Sequence, residues 1–393
     1  MIWTAYALLT VSLPFRFQSL GLSVVQYGVA VAVFAFGMLA TEGLWGVVAF
    51  RIGSLRVMMA MGVLVGLLYL AIAFSTSFLA LTVSLGLFGA MVVYPVPLFR
   101  WLAMTAGGPG REGSGTGLYG MFFSSGMVVG SALGPLLFVT IGFSWLVVVV
   151  VATYAVGLSL LAALPWNQIR LPRGERGALS LVRRVLTGPF LYVSGMVVLA
   201  YLSLTLVINF LQIYSVANFH GTASNAGYVI GAARATLLVA GVFLGRVVDR
   251  FGPARSLPFA FLLVAAGAMG TLFSGSYPEM VLWTLVFSVG FGWLSAGFLP
   301  LALRRTPVPL QGTAVGVFGS FEDLGLLIGP VLIGVVYSAY GASATFALVA
   351  AVALLGSLLS MGYRPIFGPE PTEPLPGTPN RSAPANKSEA SQR

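Results

Sequence analysis

The sequence predicts an all-α polytopic membrane protein of about 12 transmembrane helices, divided into two halves. Three observations carry that reading. Hydrophobic residues make up 58% of the chain and charged residues only 8%, whereas a soluble domain carries about 25% charged residues. Apolar runs of roughly 20 residues recur from Ile2 to about Tyr363, each long enough for one crossing of a hydrocarbon core. Arginines return only in every second connection between those runs.

The runs are continuous rather than alternating, which excludes a strand-built barrel. The first has no basic stretch before it and no small-residue cleavage site after it, so it reads as a retained helix. Connections after even-numbered runs carry Arg51 and Arg56, then Arg100 and Arg111, then Arg170, Arg173, Arg176, Arg183 and Arg184. In the second half come Arg246, Arg250 and Arg255, then Arg304 and Arg305. Connections near Gly21, Thr76, Gly142, Asn218, Tyr277 and Tyr340 have no Lys or Arg. Positive connections stay cytoplasmic, so both termini are expected inside a cell membrane crossed many times. The longest polar connection divides the chain. The expected organisation is an N-terminal six-helix bundle over 1–165, a cytoplasmic central loop over 166–186, a C-terminal bundle over 187–364 and a disordered cytoplasmic tail over 365–393.

A net charge of +10 does not make a nucleic-acid surface here, because the basic residues are spread between apolar runs. There is no Cys and a single His, His220, on an expected external connection. Disulfides and cysteine-based metal sites are thereby excluded. No phosphate loop, metal spacing or nucleophile elbow is present, so no enzyme, cofactor or metal is expected.

The halves repeat at a fixed offset. Gly28 corresponds to Gly227, Gly46 to Gly245, Arg51 to Arg250, Gly53 to Gly252 and Arg56 to Arg255. Gly113, Gly117 and Gly142 correspond to Gly312, Gly316 and Gly341. Gly134-Pro135 and Gly329-Pro330 match after a slip of one helical turn. Parallel repeats of this kind are an architecture of secondary transporters.

These features resemble the major facilitator superfamily, whose fold is two six-helix bundles around a central cavity. Its gate motif, G-x-x-x-D-R-x-G-x-x-R/K, lies between the second and third helices of each half. The second half carries it as Gly245, Asp249, Arg250, Gly252 and Arg255. The first keeps Gly46, Arg51, Gly53 and Arg56 but has Phe50 where the acid belongs. An exporter-associated G-x-x-x-G-P run on the fifth helix reads Gly130, Gly134 and Pro135, echoed by Gly325, Gly329 and Pro330. The resemblance covers Ile2 to about Tyr363. It implies a central cavity walled by the first, fourth, seventh and tenth helices.

Polar residues inside the runs are the candidate functional groups. On the eighth run Gly227, Gly231, Arg234, Leu238, Gly241 and Gly245 share one face; on the second, Gly28, Ala32, Ala35, Leu39, Glu42 and Gly46 do. Small residues let helices pack closely in lipid, so Arg234 and Glu42 face protein or cavity. Arg234 lies about 10 Å from the outer end of its stripe. Glu42 suits either a gate or packing ion pair or a proton site. Glu322 and Asp323 are adjacent and cannot share a helix face. Asp323 continues the small stripe of Gly312, Gly316 and Gly319 and should pack against a neighbour, leaving Glu322 toward the cavity. Burial raises a carboxyl pKa toward a range useful for proton exchange. Arg16 near the outer end of the first run, Tyr94, Asn209, Gln212, Tyr214 and Trp293 are candidate cavity residues, with snorkelling or helix packing as the alternative for each.

The expected function is proton-coupled export of a small, rather apolar molecule by alternating access. The expected partners are the bilayer, that solute and protons, and the expected state is a monomer. Import by the same fold, or a transport-inactive sensor or scaffold, are the alternatives.

Overall fold

The computed structural model describes residues 1–51, 55–96, 99, 112–163, 178–307 and 310–368. All regular elements among them are helical. The first half contains α1 (Ile2–Ser19), α2 (Val24–Arg51), α3 (Leu55–Phe74), α4 (Phe78–Val92) and the long α5 (Glu112–Ala162). After the short α6 (Ala178–Val185) comes α7 (Gly188–Thr205), which runs through a π turn (Leu206–Phe210) into α8 (Leu211–Phe219). Then follow α9 (Ala223–Phe251), α10 (Pro253–Phe273), α11 (Tyr277–Leu303) and the long α12 (Gln311–Phe367). Part of the tail, 369–393, and the connection 164–177 lie outside the described residues. The expected central loop holds one element the sequence reading did not include. This is α6, with Arg183 and Arg184 exposed in its last turn and Val185 buried.

Among the described residues seven helical stretches are long and apolar enough to cross a membrane, with Met58–Phe74 and Phe78–Val92 as shorter apolar helices. Two of the seven, Phe122–Ala162 and Ala314–Phe367, have the length of two crossings each. Their reversals fall at Gly142 (φ 77°) and Gly341 (φ 78°), the repeat partners noted in the sequence. An L side chain is strained at that φ, so a single glycine turns each helix back on itself. Large apolar side chains such as Leu67, Leu79, Phe243 and Leu358 lie on the outside. That suits lipid and not water, and the helices satisfy their own backbone polar groups as lipid requires.

The packing repeats as the sequence does. In the first half α1 lies along α5, α2 along α4, and α3 on α4 and α5. In the second half α7 lies along α12, α9 along α11, and α10 on α11 and α12. The two bundles meet through α2 with α12 and α5 with α9. Helix entries repeat too. Ser23 and Gln26 cap α2 reciprocally, with the Ser23 N–H donating to Gln26 Oε1 at 2.8 Å. At the corresponding place Thr222 Oγ1 accepts from the Asn225 N–H at 3.2 Å and caps α9.

Parallel packing of α1 on α5 and α7 on α12 sets the ends of the molecule. One end carries the turns at Gly21, Gly142, His220 and Gly341; the opposite end carries the arginine-bearing connections. These are called the turn end and the arginine end below.

Candidate substrate site

The bundles touch most closely at the turn end. A Cβ added to Gly28 of α2 would stand 2.5 Å from Pro330 O of α12. At the repeat-related place a Cβ on Gly227 of α9 would stand 2.7 Å from Pro135 of α5. Gly231 continues the second contact against Ala132, and Gly334 continues the first against Val24 and Val25. Glycine is needed at Gly28 and Gly227 because any side chain would push the bundles apart. Tyr27, buried beside Gly28, donates from Oη to Asn209 Oδ1 across the same boundary at 3.2 Å. Asn209 lies in the π turn of the seventh crossing, and Gln212 Nε2 donates to the Ile208 carbonyl there at 2.9 Å. That side chain adds a donor where the wider turn perturbs the backbone ladder.

Among the described residues the α5–α9 boundary runs as far as Arg234. Its Nη1 points to Met127 Sδ at 3.6 Å, two helical turns from Pro135 toward the arginine end. Farther along the same α9 stripe, Gly241 meets only Gly292 O of its own bundle, and Gly245 has no described atom within 4 Å of a Cβ. Gly316 of α12 is likewise open among the described residues. Arg234 is therefore the last cross-bundle contact of that stripe among the described residues.

Around it are aromatic side chains from the first bundle. Tyr6 of α1 lies within reach of the charges of both Arg234 and Asp323. Its ring stacks with Phe88 at 6.3 Å, tilts against Phe34 at 6.2 Å and meets the Trp3 edge at 5.9 Å. Trp3 also packs on Phe123 of α5 at 4.8 Å. Arg234 and Tyr6 are deep among the helices yet keep accessible surface, as side chains on a cavity wall do.

The two acids of α12 part as adjacent helical residues must. Glu322 Oε1 accepts from Tyr201 Oη of α7 at 2.7 Å, and Tyr201 in turn meets the Phe291 edge at 5.3 Å. Glu322 is half-buried, whereas Asp323 is buried. Asp323, expected on the packing face, is the acid whose charge reaches Tyr6 of the opposite bundle.

The remaining candidates are dispersed. Arg16 lies at the turn end, with Nη2 donating to Ser75 O at 3.4 Å and its guanidinium 4.7 Å from the Phe143 ring. Tyr94 is buried, its hydroxyl 3.3 Å from that of Tyr154 and its ring edge-on to Trp45. Tyr214 is enclosed by Phe346 and Phe219. Gln212 Oε1 and Trp293 Nε1 are buried without a hydrogen-bond partner. Gly130 and Gly134 lie against Thr4 O and Leu8 O, so they hold α1 close to α5, while Pro135 faces Gly227.

Of the gate motif, Gly252 takes φ 83° between α9 and α10, and Arg250 and Arg255 are exposed. Gly53 lies outside the described residues. So do the side chains of Glu42, Phe50, Arg51, Arg56 and Asp249, and the surroundings of Gly46.

Known proteins place this architecture. The sequence profile of the Major Facilitator Superfamily matches residues 1–215 and again 193–391. The chain belongs to that superfamily. It is a multi-pass membrane protein with the superfamily's two six-helix bundles. The probable sulfoacetate transporter SauU of Cupriavidus necator is 31% identical over 142 residues, 35% of this chain and 32% of that protein. The riboflavin transporter RibZ of Clostridioides difficile is 22% identical over 149 residues, 38% of this chain and 33% of that protein. Each match thus spans about a third of the curated relative. The nucleoside transporter NupG superposes with a TM-score of 0.75 at 13% identity, over 94% of this chain and 97% of that one. The human organic anion transporter MFSD10 (TETRAN) gives 0.64 at 18% identity, over 91% and 96%. At such identities the superfamily members share the fold alone with this chain.

Sequence reasoning missed Trp3, Tyr6, Tyr27 and Tyr201. The period of helical faces could have found Tyr27, which directly precedes the repeat glycine Gly28. Nothing in an apolar run separates Tyr6 from an ordinary core aromatic.

Proposed function

We propose that the chain is a secondary active exporter that moves its solute between the bundles in exchange for protons. The observation that carries this is the one-sided boundary: glycine-tight contacts at the turn end, and none continuing past Met127 and Arg234 among the described residues. A site at that depth is reached from the arginine end, which the charge pattern makes cytoplasmic in a plasma-membrane protein with both termini inside. The halves would be the bundles 1–165 and 187–364, joined by a cytoplasmic loop and followed by a cytoplasmic tail.

Glu322 is the proton-exchanging group in this reading. Its partner, Tyr201 Oη, can donate to the carboxylate and accept from the protonated acid, so the pair survives either charge state. The fifth-helix run ending in Pro135 supports export, since it forms the boundary that must open on the far side. Asp249 and Arg250 would hold the gate loop in the second half, with Phe50 acting as an apolar counterpart in the first.

Proteoliposomes carrying a lumenal pH dye, challenged with a panel of small organic solutes, test this. Solute flow should drive protons the opposite way. Glu322→Gln should abolish that proton movement yet leave exchange of labelled for unlabelled solute intact, while Asp323→Asn should chiefly lower thermal stability. Proton movement persisting in Glu322→Gln would remove Glu322 as the coupling site and make Glu42 the next to test. Protons travelling with the solute would make the protein an importer by symport. No solute-linked flux at all would overturn transport.

A further inference from the structure

The geometry points to an oxyanion-binding site at Trp3, Tyr6 and Arg234, taking a small organic monoanion such as a carboxylate or sulfonate on a flat apolar body. The inference names the substrate class for the site proposed above and rests on that reading only in calling the ligand a substrate.

The three side chains are hydrogen-bond donors, and two of them have no strong acceptor among the described residues. Trp3 Nε1 is buried and has no partner among them. Arg234 makes no ion pair among the described residues, and its one hydrogen bond is to a thioether, a weak acceptor. A guanidinium held this deep without a direct ion pair is costly. Tyr6 joins the two: its ring meets Trp3, and its hydroxyl lies within reach of the Arg234 charge. On α5, Phe123 faces Trp3 and Met127 one turn later faces Arg234, so both donors border one strip of that helix.

Charge limits the ligand. The charges that act on Tyr6 are one of each sign, the Arg234 guanidinium and the Asp323 carboxylate. A monoanion makes the group of three charges net negative by one, and a phosphate dianion would add a further negative charge with no second cation beside it. The part of the wall that keeps accessible surface is flat and aromatic, from Trp3, Tyr6 and Phe123, with Phe34 and Phe88 buried against Tyr6. Such a wall accepts the apolar body expected from the sequence, and the donors add an acidic head to it.

The test is binding to purified protein in neutral detergent, read as a shift in melting temperature with benzoate, benzenesulfonate, benzamide and inorganic phosphate. Benzoate and benzenesulfonate should stabilise the protein, and benzamide and phosphate should not. Arg234→Gln should weaken both anions at least tenfold, and Arg234→Lys should retain part of the effect. Should Arg234→Gln fold poorly, Trp3→Phe and Tyr6→Phe carry the test: each should weaken benzoate several-fold. Benzamide matching benzoate, neither anion binding, or anion binding unchanged in these variants would overturn the inference.

Nanodiscs separate a soluble anion from a lipid headgroup. The benzoate shift should be equal in phosphatidylcholine and phosphatidylglycerol discs, and its loss in the anionic lipid would assign the site to a headgroup instead. Because the binding assay has no gradient, anion preference without solute-linked proton flux would fell the transport reading alone. Flux without anion preference would fell only this inference.

Discussion

The turn end and the arginine end are built from the same helices and differ in what separates the bundles. At the turn end Gly28 and Gly227 bring backbones into contact, and Tyr27 adds a hydrogen bond to Asn209. Toward the arginine end the α9 stripe keeps its small residues, yet Gly241 and Gly245 meet nothing of the opposite bundle among the described residues. In this structure the stripe is therefore in contact with the opposite bundle at its turn end and not, among the described residues, at Gly241 and Gly245. On the reading proposed above, the repeated glycines would be the two faces of a rocking contact, of which the turn-end part is the one made here.

The largest effect should come from wedging the closed end. Gly28→Leu or Gly227→Leu should drive the bundles apart there, since overpacking costs about 1–3 kcal/mol. The chain has no cysteine, so a single Ala226→Cys, buried and next in sequence to the contact glycine Gly227, can report opening. Its labelling by a membrane-impermeant thiol reagent should rise at least tenfold with the wedge, and solute flux should fall by a similar factor. Unchanged labelling would mean that the boundary yields elsewhere. The same change at the open end, Gly245→Leu, should leave melting temperature and Ala226→Cys labelling nearly unchanged but reduce flux, because only the alternate state needs that surface to close.

Asn209→Ala should act more gently. Losing one cross-bundle hydrogen bond costs about 1 kcal/mol, roughly a fivefold change in labelling. The smallest effect is expected at His220, which holds φ 51° at the end of α8 where a glycine is favoured. His220→Gly should raise stability by less than about 1 kcal/mol, read as a slightly higher melting temperature with unchanged labelling.

Hydropathy and charge made the crossings and the family legible, because lipid imposes both on any helix that spans it. The repeat also foretold paired features such as Gly142 with Gly341 and Gly28 with Gly227. The π turn at Leu206–Phe210 was not legible, since a one-residue widening barely alters the spacing of apolar residues. Arg234 was found because a charge in an apolar run is rare, whereas Trp3 and Tyr6 beside it look like ordinary aromatics in sequence. For the acids, the small-residue stripe indicated separate faces for Glu322 and Asp323 but not which neighbour each would meet. Tyr201 on Glu322 and the reach of Asp323 to Tyr6 depend on how α7 and α1 are placed, which no local pattern encodes.

The reversals at Gly142 and Gly341 have a consequence for how the molecule meets its surroundings. Each of these two pairs of crossings is joined by one residue, so a protease finds no exposed strand at either reversal to thread into its cleft. An antibody raised against that surface must recognise rims of several helices together, and its epitope would vanish in an immunoblot.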